Sequence, residues 1–405
     1  MTMKNTLISL FALAATVVAC HKNDPEPDKP EGKVERTVLI YMAGENNLSN
    51  WSGTKYADLD LKEMKEGIKT IGNNILAIYV DKAETTPPYL LYYWNGRLID
   101  SIPMPESLTS DPATLETVVR KAFTDYPANS YGLGLWGHAT GWLFKNDSIE
   151  YTSVVTARKK AYGGDTGNNS SSGTGNTWMN IPSMAKALKH LPHLDFIFAD
   201  CCNFMCVECA YELRDVTDYL IGSPAEIPAV GAPYEKVVPA MMDKTNFWQA
   251  IVDRYYEQHL ASGNKVPLAV VKSSEVASLA SATRTILHTF EFGDSPYLNM
   301  RGTIYYTGYL DNKYLFDMNN IMLKFAPEAE YQSWKQAFDK AVIYSKISEK
   351  WDTGGHVNFY DFTVDEQTYG GISMFVPQYR LQNTDNQYIQ KMGWYYAAGY
   401  SEVGW

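Results

Sequence analysis

Two side chains in this sequence are suited to nucleophilic chemistry, and each closes an apolar run. Cys202 follows Leu194-Asp-Phe-Ile-Phe-Ala-Asp-Cys201, and His138 follows Tyr131-Gly-Leu-Gly-Leu-Trp-Gly137. A thiolate attacks a carbonyl carbon, and an imidazole carries the protons that the attack and the departure of an amine require. Both runs read as buried strands, and in an open parallel sheet the carboxyl ends of neighbouring strands share one crevice. A thiol and an imidazole delivered this way can form one site. Cys202 also precedes a helical pattern, Met205 to Leu213, and a helix N-terminus favours the thiolate. The backbone N–H groups of Cys202 and Ala139 are candidate donors to the oxyanion that attack would create.

The neighbouring cysteines invite two other readings. Cys201 alternates with Cys202 at the strand end and should face the opposite side, while Cys206 and Cys209 lie on an apolar helix face as small hydrophobes. The spacing Cys202, Cys206, Cys209 also matches radical enzymes that bind an iron–sulfur cluster and S-adenosylmethionine. An export signal and the lack of repeated barrel units weigh against that.

The elements that must position the pair alternate. Residues 38–42 read as a strand, 56–68 as a helix, 74–80 as a strand, 90–94 and 98–102 as a hairpin turning at Asn95-Gly96, and 114–126 as a helix before the histidine strand. Residues 145–177 break the pattern with a run of Gly, Ser, Asn and Thr, a loop long enough to carry function. Helices follow at 182–191, 246–260, 274–290, 319–325 and 331–348, with strands at 194–199, 219–222, 267–271 and 371–376. The alternation argues for an α/β fold with a mostly parallel central sheet over residues 36–290. Residues 291–405 form a C-terminal α+β lobe, which could return a strand to the same sheet.

Residues 1–20 read as an address: Lys4, an apolar stretch from Leu7 to Val18, and Val17-Val-Ala-Cys20, which has the form of a lipoprotein signal. Lipid on Cys20 would tether an exported chain to the outer membrane or cell surface, and the polar, proline-rich residues 21–35 would be a flexible spacer. The net charge of −11, with no basic tract, argues against a nucleic-acid partner. Four of the five cysteines cluster at one strand-to-helix junction, so no framework of spaced disulfide pairs exists.

The segments Leu39-Ile-Tyr-Met-Ala-Gly-Glu-Asn-Asn-Leu48, Leu135-Trp-Gly-His-Ala-Thr-Gly-Trp142, Phe198-Ala-Asp-Cys-Cys-Asn-Phe-Met-Cys-Val-Glu208 and Ser223-Pro-Ala-Glu226 through Gly231-Ala-Pro-Tyr234 resemble the clostripain family of cysteine peptidases. The resemblance implies a caspase-like three-layer sandwich and peptide cleavage by a His138/Cys202 dyad. It implies that Asp200 is the acidic floor of a pocket for Arg or Lys, so that the partners are peptides with basic residues. It also implies maturation by a cut between the two segments, for which Arg158, Lys159 and Lys160 are the candidate site. The chemistry requires no cofactor or metal, and calcium is left open. Two features stand apart from the family pattern: Cys201 where alanine is usual, and Ala139 where glycine usually follows the histidine. The rival to an active peptidase is an inactive surface-binding lipoprotein of the same fold, and an esterase or amidase using the same dyad is a third reading.

Overall fold

The structure is a computed structural model that describes residues 28–83, 87–143, 161–175, 177–263, 265–309, 312–351, 362–382 and 385–405. Cys20 and the basic triplet Arg158, Lys159 and Lys160 lie outside the described residues.

The first strands are β1 (Val34–Gly44), β2 (Ile75–Lys82), the hairpin β3 (Tyr89–Trp94) and β4 (Arg97–Pro103), and β5 (Ala128–Trp136). A small ribbon, β6 (Tyr162–Asp165) and β7 (Thr177–Met179), precedes β8 (Leu194–Asp200), β9 (Thr217–Gly222) and β10 (Leu268–Lys272). Then come β11 (Tyr305–Tyr309), β12 (Asn312–Asp317), β13 (Val342–Lys346) and the two-residue β14 (Ser373–Met374). Nine of these form one sheet in the order β13-β10-β9-β8-β5-β1-β2-β3-β4. The five central strands, β9 to β2 in that order, run parallel, and an antiparallel pair flanks them on each side.

Parallel strands are apolar on both faces because helices cover both. Val38, Ile40 and Met42 of β1 and Phe196 and Phe198 of β8 pack against α1 (Tyr56–Gly67), and against α5 (Tyr234–Met241) and α6 (Phe247–Ala261). Leu39 and Tyr41 of β1 and Ile197 and Ala199 of β8 face the other layer. That layer contains α2 (Pro112–Asp125), α3 (Ile181–Leu188), α4 (Val207–Leu213), α7 (Val276–Leu287), α8 (Met318–Phe325) and α9 (Glu328–Ala341). The result is the three-layer α/β sandwich expected.

Three local expectations differ. The helix read through 331–348 stops at Ala341, and Val342 to Lys346 form β13 at the sheet edge against β10. The β-branched and aromatic run Val342-Ile-Tyr favours extended backbone there. Gly163-Gly164, read as loop, lies in β6, whose four residues are all buried. The helix after Cys202 begins at Val207, with Cys206 as its N-cap.

Candidate active site

β5 and β8 are neighbours with Trp136 paired to Asp200, so the chain leaves the sheet at equivalent points on both strands. His138 and Cys202 each lie two residues beyond that pair. Gly137 makes the first departure: its φ is +143°, and a side chain there would meet the Ala43 carbonyl oxygen at 2.9 Å. Only glycine turns the chain so closely over β1.

His138 is half-buried, and its Nε2 lies 2.7 Å from Asn47 Oδ1. An amide oxygen can only accept, so this bond puts the proton on Nε2 and leaves Nδ1 as the basic nitrogen in the neutral ring. Asn47 lies in the loop after β1, where its N–H donates to Gly173 O at 2.7 Å. The histidine loop is tied to the same returning segment, since Gly163 N–H donates to His138 O at 2.8 Å and Thr140 N–H to Ala161 O at 3.0 Å. These bonds form a bridge between Ala139 and Tyr162 that leaves the Ala139 N–H outside it. Among the described residues the left-handed positions in this loop are Gly137 and Gly141, not Ala139. Alanine after the histidine therefore carries no backbone strain.

Cys201 is fully buried in the α2/α3/α4 layer, and burial pushes its thiol well above the ordinary range. Cys202 is half-buried, with its Sγ 3.5 Å from the Ile227 N–H. A turn separates it from α4, so Cys202 does not stand at the helix N-terminus, and the Ile227 N–H donates to its sulfur. Two further bonds fasten the turn to the loop after β9: Asn203 N–H to Ala225 O at 2.8 Å and Met205 N–H to Ser223 O at 3.0 Å.

Asp200 is buried on the α1/α5/α6 side. Its carboxylate accepts from Ala232 N–H at 3.0 Å, Tyr234 O–H at 2.9 Å and Tyr255 O–H at 3.2 Å. Burial pushes it up to about 6 against these three donors. A second carboxylate, Asp60, stands close by: a side chain on Gly231 would lie 2.8 Å from Asp200 Oδ2 and 3.4 Å from Asp60 Oδ2. Asp60 accepts from Trp136 Nε1 at 2.5 Å, and burial and the charge of Asp200 push it up to about 9. Two buried carboxyl groups this close favour sharing a proton over carrying two charges.

Among the described residues one group of metal-ligand type converges, namely Glu45, Asp81 and Asp165, all buried, with one oxygen of each within 4.8 Å of the others. The oxygens suit calcium, but that ion takes 6–8 of them. Glu45 Oε1 already accepts from Thr166 Oγ1 and the N–H groups of Asn168 and Asn169, and both Asp165 oxygens accept from Thr109 or Gly167. The thiols of Cys202, Cys206 and Cys209 do not form such a group.

A family model, that of the clostripain family, matches residues 40–403. The chain belongs to the clostripain family of cysteine proteases. A solved structure of a secreted C11 cysteine protease from Bacteroides thetaiotaomicron, in complex with an irreversible peptide inhibitor, is 30% identical. It covers 91% of this chain and 99% of its own, with a TM-score of 0.74. An inactive zymogen C11 protease from Parabacteroides distasonis is also 30% identical over 91% of this chain and 99% of its own, with a TM-score of 0.72. A further secreted C11 protease from B. thetaiotaomicron, 22% identical with a TM-score of 0.71 over 91% of this chain and 100% of its own, shares the fold. No curated protein matches. Among the described residues, no helix of this protease is long and apolar enough to cross a membrane.

Sequence reasoning missed Asn47, Ile227 and Asp60. The quoted segment Gly44-Glu-Asn-Asn47 was the available signal for the first. The other two depend on loop closure and helix packing, which have no local pattern.

Proposed function

We propose that this clostripain-family protease is an endopeptidase that cleaves after Arg or Lys with Cys202 as nucleophile and His138 as base. The Cys202 thiolate attacks the scissile carbonyl carbon, and the resulting oxyanion accepts from the Ala139 and Cys202 N–H groups. The His138 imidazolium gives its proton to the departing amine, leaving an acyl-thioester. The imidazole then takes a proton from water as it attacks, and the acid product leaves with the thiolate restored. The observation that carries this reading is the Trp136–Asp200 register, with a histidine and a cysteine each two residues beyond it on adjacent strands.

Asp200 is the proposed anchor for the basic side chain. In support, Gly231 contributes no side chain where it would crowd Asp200 Oδ2. A guanidinium or ammonium would pair with the Asp200 carboxylate, whereas an acidic or neutral side chain could not. Maturation by a cut after Lys160 or another basic residue of Arg158-Lys-Lys160 is part of the same proposal. Ala161 and Tyr162, immediately beyond it, are buried and bonded to the histidine loop, which would keep both fragments associated after cleavage. We also infer lipid attachment through Cys20, on the form of the first twenty residues.

Release of a reporter from otherwise identical peptides ending in Arg, Lys or a neutral residue tests this reading. Turnover of the first two, lost in both Cys202→Ala and His138→Ala, is expected. Equal turnover of neutral peptides would remove the role given to Asp200, and activity retained in Cys202→Ala would remove the nucleophile.

A further inference from the structure

Behind the nucleophile turn lies a second thiol pair that peptide cleavage does not use. Cys206 is the N-cap of α4 and Cys209 is in its first turn, in the sequence Cys206-Val-Glu-Cys209. Their Sγ atoms are 3.2 Å apart, and neither residue is exposed to solvent. Glu208, between them in sequence, is also fully buried. Its Oε1 accepts the Phe375 N–H at 2.7 Å and its Oε2 has no partner, while the Cys206 thiol donates to Cys209 Sγ. A carboxylate with an unpaired buried oxygen beside a thiol is a ready proton acceptor. Burial pushes Glu208 up to about 7, near the range where such an acceptor works at neutral pH.

We propose that Cys206 and Cys209 are a redox-active dithiol that closes to an intramolecular disulfide by exchange with a low-molecular-weight disulfide of the glutathione or cystine type. The sulfurs need approach by only about 1.2 Å to reach the S–S bond length. The Cys206 thiolate, its proton passed to Glu208, attacks one sulfur of the small disulfide and expels one small thiolate. The Cys209 thiolate then attacks the Cys206 sulfur of the mixed disulfide and expels the second. Two protein thiols are oxidised, one small disulfide is reduced to two thiols, and the two protein protons end on those thiols. Access requires local opening beside the pair. That opening has to release the two-residue β14 over Cys206, whose Ser373 N–H is bonded to Met205 O at 3.1 Å.

The pair also touches the active-site framework. A side chain at Gly141 would lie 3.3 Å from Cys206 Sγ, so this sulfur packs under the loop that carries His138.

The test uses the full chain carrying Cys202→Ser, so it does not depend on which residue is the nucleophile. The folded protein is equilibrated with oxidised glutathione and quenched in acid, and remaining thiols are alkylated under denaturing conditions before mass spectrometry. Loss of two alkylation sites and of the mass of two hydrogens, with fragment ions placing the link between 206 and 209, is expected. The loss should persist in Cys201→Ala and vanish in Cys206→Ser and in Cys209→Ala, either of which suffices if the other fails to fold. Full alkylation of Cys206 and Cys209, a link to Cys201, or a stable glutathione adduct on Cys206 would each overturn the proposal.

Discussion

Replacing Asn47 by alanine tests the histidine's environment at one bond. Asn47 Oδ1 is the acceptor 2.7 Å from His138 Nε2, and both residues are half-buried. Leaving a half-buried N–H without its acceptor costs about 1–3 kcal/mol. Where that loss falls on the transition state, a factor of ten per 1.36 kcal/mol converts it to a fall in kcat of roughly 5- to 150-fold. KM should change little, because Asn47 acts through the imidazole rather than on the peptide. Asn47→Asp offers a conservative rescue with a distinct signature. A carboxylate at that position holds the imidazolium more tightly, so the alkaline limb of the pH–kcat profile moves to higher pH while much of the rate returns. Steady-state kinetics of the three proteins across pH, with circular dichroism to check the fold, would decide. A kcat for Asn47→Ala equal to that of the parent, or an Asn47→Asp profile superimposable on it, would refute the positioning role.

Three further outcomes are expected. Ala139→Gly should change kcat/KM by no more than about twofold, because Ala139 is outside the left-handed region and glycine relieves no strain there; a large gain in activity would show that the methyl obstructs substrate. Stability should fall as pH rises from about 5 to 9, because Asp200, Glu208, Asp81 and Asp60, pushed up by burial to about 6, 7, 8 and 9, keep protons in the folded chain that the unfolded chain has released; a thermal midpoint that is flat or rising over this interval would contradict that sign. Mass spectrometry of the purified protein should show a cut after Lys160 or another basic residue of Arg158-Lys-Lys160 that is missing from Cys202→Ala; equal cleavage of the two would assign it to another protease.

Much of the framework was legible in the sequence because it rests on local periodicity. Runs such as Val38 to Met42 and Phe196 to Ala199 are apolar without alternation, and strands buried on both faces have to read that way. The same runs pointed to their ends, and so to His138 and Cys202. Contacts between distant segments carried no such signal. Asn47 meets His138 across two strands, Ile227 reaches Cys202 through a loop closure, and Asp60 comes to Asp200 from a helix on one face of the sheet. Gly163-Gly164 misled in the opposite direction. Two glycines read as loop, yet a side chain at Gly164 would overlap the Thr174 carbonyl oxygen at 1.7 Å, so the strand needs glycine for close packing. The helix N-terminus expected at Cys202 failed because residues 201–205 form a turn before α4 begins.

The central claim is that Cys202, not its neighbour Cys201, is the nucleophile of a protease that recognises basic side chains. Incubating the native protein with a peptidyl electrophile ending in lysine, then locating the covalent adduct by fragmentation mass spectrometry, tests it most directly. The account predicts one adduct, on Cys202, forming in step with loss of activity and far more slowly in His138→Ala. An adduct on Cys201, or full inactivation with Cys202 unmodified, would contradict it.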